Sequence, residues 1–188
     1  MTKRFHQPPS GYAFYDDTLP LARPDTSTPL LQAVVEFENS IRHNDFETGA
    51  FFSQDGTMLL RKEGLADQVG FGHENLHAMR NQLFTHNHPR GTTLSIEDID
   101  LALDYQLSCI RVVGPRSRFI MYKPAKGWPP FTLVNDKFEK AKLGVHNEVR
   151  NLVNTDQLDR RNAGSEVLHL QLLQVCTELK LRYIREQT

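Results

Sequence analysis

The chain has 188 residues, 39% of them apolar and 24% charged, the balance of a folded domain and not of a disordered tract. Its 22 Lys and Arg against 23 Asp and Glu leave a formal net charge of −1, so there is no basic excess of the kind nucleic acid recruits. The two cysteines, Cys109 and Cys176, exclude a disulfide framework and a cysteine-rich zinc site. No apolar run is long enough for a bilayer, and MTKRFHQPPSGYAFYDD has no signal-peptide core. The expectation is a cytoplasmic chain, although export by a dedicated secretion machine would leave no readable trace.

Five of the ten prolines fall before residue 30 (Pro8, Pro9, Pro20, Pro24 and Pro29), which predicts an extended or irregular arm over 1–29. Its aromatics Phe5, Tyr12, Phe14 and Tyr15 suit packing on the domain body or on a neighbour. From 30 to 188 the chain reads as one domain. Leu30, Val34, Phe37 and Ile41 recur at helical spacing and predict a helix over 30–44. FETGAFFS and TMLLRK flank an Asp-Gly turn, a hairpin signal. HENLHAMRN reads as a short helix, QLFTH as a strand, PRGTTL as a loop and SIEDIDLALDYQ as a second helix. CIRVVG and RFIMYKP read as two more strands. Beyond them the part from 126 to 188 reads as helical: Val134, Phe138, Ala141, Val145, Val149 and Leu152 mark a long amphipathic helix, DRRNAG a break, and Leu168, Leu172, Val175 and Leu179 a last helix. Interleaved strands and helices predict an α/β or α+β class, of which α/β is adopted.

The densest chemistry lies in THNHPRGTTLSIEDID, residues 85–100. His86 and His88 stand at i and i+2 near a strand end, so both project from one face. Two imidazoles so placed can reach one ion at ~2 Å, the usual zinc–nitrogen distance. Asp98, in the first turn of the next helix, is the natural third ligand, and His₂Asp plus water is an open, catalytic type of site. Ser95-x-x-Asp98 is also a helix cap with an acid in the first turn, which needs no metal. It leaves His-x-His unexplained, where strand propensity prefers a β-branched or aromatic residue. A zinc site of this kind lowers the pKa of its water towards ~7 and needs a carboxylate to move the proton. Glu47, at the start of the hairpin, fits best, with Glu36 and Glu38 in the preceding helix as fallbacks. Ser95 is placed to stabilise an oxyanion.

A glutamate on an early strand, then HxHP, a loop and SxxD, resembles the JAB/MPN/JAMM zinc metalloproteases, and the segment order from ETGAFFS to FIMYK fits over residues 30–125. The four-part motif is far more specific than a bare HxH. The resemblance implies a cytidine-deaminase-like α-β-α core around a curved mixed sheet, with C-terminal helices. It implies one Zn²⁺ on His86, His88 and Asp98, with Glu47 as general acid/base and Ser95 as oxyanion stabiliser. The expected activity is peptidase or isopeptidase cleavage of an amide, on a protein or peptide that includes the ubiquitin-like class. The wording HNHPRG is nearer to bacterial and phage members, including RadC-like proteins, than to eukaryotic ones. Two alternatives go with it: a non-catalytic MPN-type interaction module, and a RadC-like role near DNA, which the neutral charge opposes.

HENLH at 73–77 is a rival zinc motif, with His73 and His77 as ligands and Glu74 as base. GFG precedes it and only about two turns follow, and Arg80 and Leu83 stand where the extended motif needs glycine and histidine. A surface helix with Leu76 and Met79 turned inward is the expected reading. His6, His43, His146 and His169 have no partner spacing. Cys109 reads as a small core residue, and Trp128 as loop packing.

Overall fold

The predicted helix at 30–44 is α1 (Pro29–Ile41) in a computed structural model that describes residues 21–188, with the side chains of residues 73–75 excepted. Phe5, His6, Tyr12, Phe14 and Tyr15 lie outside the described residues. Thr28 caps α1 by accepting the Leu31 N–H at 3.2 Å, and Pro29 fills the first turn, where its missing donor costs nothing. The hairpin follows as β1 (Thr48–Phe52) and β2 (Met58–Glu63), then α2 (His73–Ala78), β3 (Leu83–Asn87), α3 (Ile96–Asp104), β4 (Cys109–Val113) and β5 (Ser117–Tyr122). The long helix is α4 (Phe131–Asn154), and the last is α5 (Ala163–Leu179).

One element is not predicted by the sequence. The chain after α5 is β6 (Arg182–Gln187), antiparallel to β5, so the part from 126 to 188 is not wholly helical. Lys180 takes the left-handed conformation (φ 56°) and ends α5, with the Leu181 N–H returned to the Cys176 carbonyl at 2.8 Å. No glycine or proline marks that stop.

The six strands form one mixed sheet, ordered β2-β1-β3-β4-β5-β6, with β3 and β4 parallel and the other neighbours antiparallel. Every residue of β1, β3 and β4 is buried, because both sheet faces are covered. Alternate residues serve the two faces. Ala50, Phe52, Leu83, Val113 and Ile120 meet Val34, Phe37 and Ile41 of α1. Phe51, Phe84, Val112, Phe119 and Met121 share the other core with Ile99, Phe138, Leu172 and Val175 from α3, α4 and α5. The distal ends of α4 and α5 make a smaller cluster around Val145, Val149 and Leu170. The parallel β3-α3-β4 unit brings the start of α3 to the C-terminal end of β3, where ligands gather in open α/β sheets. Among the described residues no helix is long and apolar enough to cross a membrane.

Candidate metal centre

Phe84 and His86 point from β3 towards the α3 side, and the His86 ring stacks on that of Phe84 with centroids 5.1 Å apart. His88 lies just past the strand, but its N–H still reaches the Val113 carbonyl at 2.9 Å, which prolongs the pairing and keeps the i, i+2 alternation. The two imidazoles therefore converge, with His86 Nε2 and His88 Nε2 2.9 Å apart. A tight turn follows, closed by the Gly91 N–H on the His88 carbonyl at 2.9 Å, with Gly91 at φ 71°. Gly114 faces it so closely that a Cβ there would sit 2.7 Å from the Gly91 Cα. Glycine at both places lets two loops pass without side chains between them.

The carboxylates arrive from other elements. Ser95 and Asp98 form a complete capping box: Ser95 Oγ accepts the Asp98 N–H at 3.0 Å and Asp98 Oδ2 accepts the Ser95 N–H at 2.7 Å. This fixes the Asp98 rotamer with Oδ1 3.1 Å from His86 Nε2 and Oδ2 3.5 Å from His88 Nε2. The cap thus leaves Asp98 turned towards both histidines. Glu47 comes from the β1 side, where its own N–H and carbonyl pair with Leu65 and Gly64. Since Gly49 is in register with His86, Glu47 falls beside His88, and its Oε1 is 3.8 Å from His88 Nε2. Gly49 itself leaves room, for a Cβ there would lie 2.9 Å from the Phe84 ring.

Burial and mutual charge set the protonation pattern. Burial, with His86 adding to it, pushes the His88 imidazole down to about 4, so it is neutral at physiological pH. His86 is fully buried too, yet the Asp98 and Glu47 carboxylates outweigh that burial and raise it. Asp98 is held well below the ordinary carboxylate range: burial works against its charge, and the two histidines and the Ser95 N–H overcome it. Glu47 moves up, because burial and the charges of Asp98 and Asp67 outweigh the pull of His86.

Two residues that the sequence pattern does not single out hold the centre in place. Thr92 presents both its hydroxyl and its carbonyl to His88 Nδ1, at 3.0 and 3.2 Å. A proton on Nδ1 leaves Nε2 as the free lone pair facing the centre, the usual support of a metal-binding imidazole. Asn87, on the opposite face, accepts the Thr48 N–H at 2.7 Å and donates to the Phe46 carbonyl at 3.0 Å, which pins the segment that carries Glu47. An asparagine between the two histidines was the visible signal. His86 Nδ1 is buried without a geometrically sound hydrogen bond, although the Arg111 backbone lies on its side.

The donor set fits a divalent cation. In a tetrahedral site with bonds near ~2.05 Å, neighbouring donors stand about 3.3 Å apart; the two imidazole nitrogens at 2.9 Å and Asp98 Oδ1 at 3.1 Å from His86 come near that value, while the oxygen 3.5 Å from His88 is Oδ2, the one bound in the cap. Among the described residues, single donor atoms of Glu47, His86 and His88 also lie within 4.8 Å of one another. The group close enough to share one ion is thus the two histidines with Glu47. The centre opens on a cavity of about 490 Å³ walled by Asp67, Val69, Arg90 and Leu101.

The other candidates are placed elsewhere. Glu36 is exposed on α1. Glu38 lies on the far face of the sheet, wholly buried, where it accepts from Arg111 Nε at 2.6 Å, Arg111 NH2 at 3.0 Å, Arg118 Nε at 2.8 Å and the Thr85 hydroxyl at 2.8 Å. It is a structural anion and cannot reach the histidines. In the rival motif α2 has six residues, and His77 packs edge-on against Tyr105 with centroids 5.6 Å apart. The side chains of His73 and Glu74 lie outside the described ones. The Ser95 hydroxyl donates to Asp98 Oδ2 at 2.8 Å, so its proton is engaged in the cap. Buried Cys109 and Cys176 are pushed up to about 12 by burial and behave as core residues. Trp128 donates to the Leu107 carbonyl at 2.8 Å and packs on the main core, as expected of loop packing.

Comparisons of this chain with family models, with curated proteins and with solved structures find no match in any of the three.

Proposed function

We propose that the chain is a JAMM-type metallohydrolase on a JAB/MPN-like core, cleaving an amide in a protein or peptide. The observation that carries the reading is the convergence of Glu47, His86, His88 and Asp98, from three separate segments, at the floor of an open cavity. His86, His88 and Asp98 would hold Zn²⁺, and Glu47 stands one step further out. Zinc bound there would supply Lewis-acid polarisation of a scissile carbonyl and a water of lowered pKa.

The chain's own residues supply the rest. Thr92 keeps the His88 lone pair directed at the centre. Asp98 divides its carboxylate, with Oδ2 spent on the cap and Oδ1 towards His86. Glu47, its carboxyl raised from the ordinary value chiefly by burial, is suited to take a proton from water and return it to the leaving amine. Ser95 reaches an oxyanion only if it gives up its bond to Asp98, which makes its first duty the cap.

The test is metal content by inductively coupled plasma mass spectrometry on wild type, His88→Ala and His77→Ala. About one zinc per chain, kept in His77→Ala and lost in His88→Ala, is the expected result. Wild type without metal after zinc is restored would sink the reading. It would then favour a docking module, for which the apolar groove of about 620 Å³ between α4 and α5, rimmed by Lys142, Arg150 and Arg160, is the specific feature.

A further inference from the structure

The loop from His88 to Ser95 carries Thr92, which orients His88, and part of its own fixation comes from the far end of the sequence. Thr93 is 1% exposed and Leu94 wholly buried. The Thr93 hydroxyl lies 2.6 Å from the Tyr183 hydroxyl of β6, 90 residues along the chain. Tyr183 in turn lies 2.8 Å from Nδ1 of His169 on α5. β6 is held in register by β5, where Tyr183 pairs with Met121 and its ring lies parallel to that of Phe119. His169, buried against Phe119, is pushed down to about 3 by burial and stays neutral. Donation from Thr93 to Tyr183 and from Tyr183 to His169 places every hydroxyl proton.

We propose that Tyr183 is a positioning residue of the candidate metal centre, its hydroxyl holding Thr93 so that the adjacent Thr92 keeps His88 oriented. The inference rests on the metal-binding reading above. A hydrogen bond that fixes a ligand-bearing loop acts on metal affinity and on ligand geometry. A bond serving the fold alone would change thermal stability and leave the metal's surroundings intact. Conserving the ring while deleting the hydroxyl separates these, because the stacking on Phe119 survives in Tyr183→Phe.

The experiment is a titration of the full chain with cobalt(II), read by its visible absorption and by competition with a chelator, beside thermal melting. Variants are Tyr183→Phe, Thr93→Val and Thr93→Ser. The first two should bind cobalt about tenfold more weakly, the lower end of the range for groups that support metal ligands, with a changed spectrum at saturation. Thr93→Ser keeps the hydroxyl and should restore both affinity and spectrum. If wild type binds cobalt and Tyr183→Phe matches it in affinity and in saturated spectrum, the positioning role is wrong while the metal site stands. The role is equally wrong if Thr93→Ser behaves like Thr93→Val. If wild type takes up no cobalt, the metal reading falls and this inference with it.

Discussion

Replacing Glu38 by Gln probes the least expected feature of the molecule. Glu38 is wholly buried and accepts four hydrogen bonds, three of them from the guanidinium groups of Arg111 and Arg118, each 1% exposed. Glutamine keeps the volume but removes the charge and turns an acceptor into a donor that faces donors. The nearest remaining carboxylate, Glu186, is 3.9 Å from Arg111 and itself 5% exposed. Breaking one partner of a buried ionic cluster costs about 3–5 kcal/mol. In a chain of 188 residues each kcal/mol moves the Tm by about 2–4 °C, so the melt should fall by roughly 6–20 °C. Calorimetry and urea unfolding with an unchanged m-value would measure it. Metal content should not change, because the cluster and the centre occupy opposite faces of β3. A loss below about 1 kcal/mol would show that the arginines find other partners and would refute the argument. The folded carboxyl is also lowered, since Arg111 and Arg118 outweigh its burial. Its stabilisation is therefore full above the unfolded value near 4.5 and is lost as pH falls through the lower folded value.

Further outcomes can be set beside it. Glu47→Gln should keep its zinc and lose amide hydrolysis by at least ~10²-fold, read by metal analysis and turnover of a peptide amide; full activity would remove Glu47 as the proton carrier. Ser95→Ala deletes the cap and should cost about 1 kcal/mol in a thermal melt; an unchanged melt would mean that the box is dispensable. Burial pushes His169 from its ordinary 6.5 down to about 3, so its own contribution to stability should fall as pH drops from 6.5, by about 1.4 kcal/mol per unit. His169→Gln should flatten that slope between pH 6.5 and 4.5, and an unaltered slope would show that the ring is not held neutral.

Much of the frame was legible because its signals are local. Apolar spacing marked α1 and α4, and Asp-Gly marked the β1–β2 hairpin. His-x-His before a turn and Ser-x-x-Asp after it placed three donors at adjoining element ends. The distance of Glu47 from His88 depends on β1 pairing with β3, a register that spacing along the chain cannot supply. β6 is hidden for two reasons: Lys180 ends α5 where glycine would have announced the stop, and RYIREQ alternates charge in a way that imitates a solvated helix face. Glu38 imitates a surface acid when its helix is considered alone. Its place on the apolar stripe with Val34, Phe37 and Ile41 is the contrary signal, as are the arginines inside the apolar runs of β4 and β5. Charges inside apolar patterns are costly unless paired, and here they pair with one another.

The position of β6 has a bearing on how the protein is made. Chain leaves the ribosome from the amino end, so β1 to β5 are available before their last neighbour exists. During that interval the outer backbone edge of β5 is unpaired, with Phe119, Ile120 and Met121 beside it, the kind of open edge that recruits other chains. The hydroxyl that reaches Thr93 is then still in the exit tunnel. Nascent chains halted before residue 183 would therefore be sticky and poorly set at the His88 loop, and both faults would be cured by the same six-residue strand.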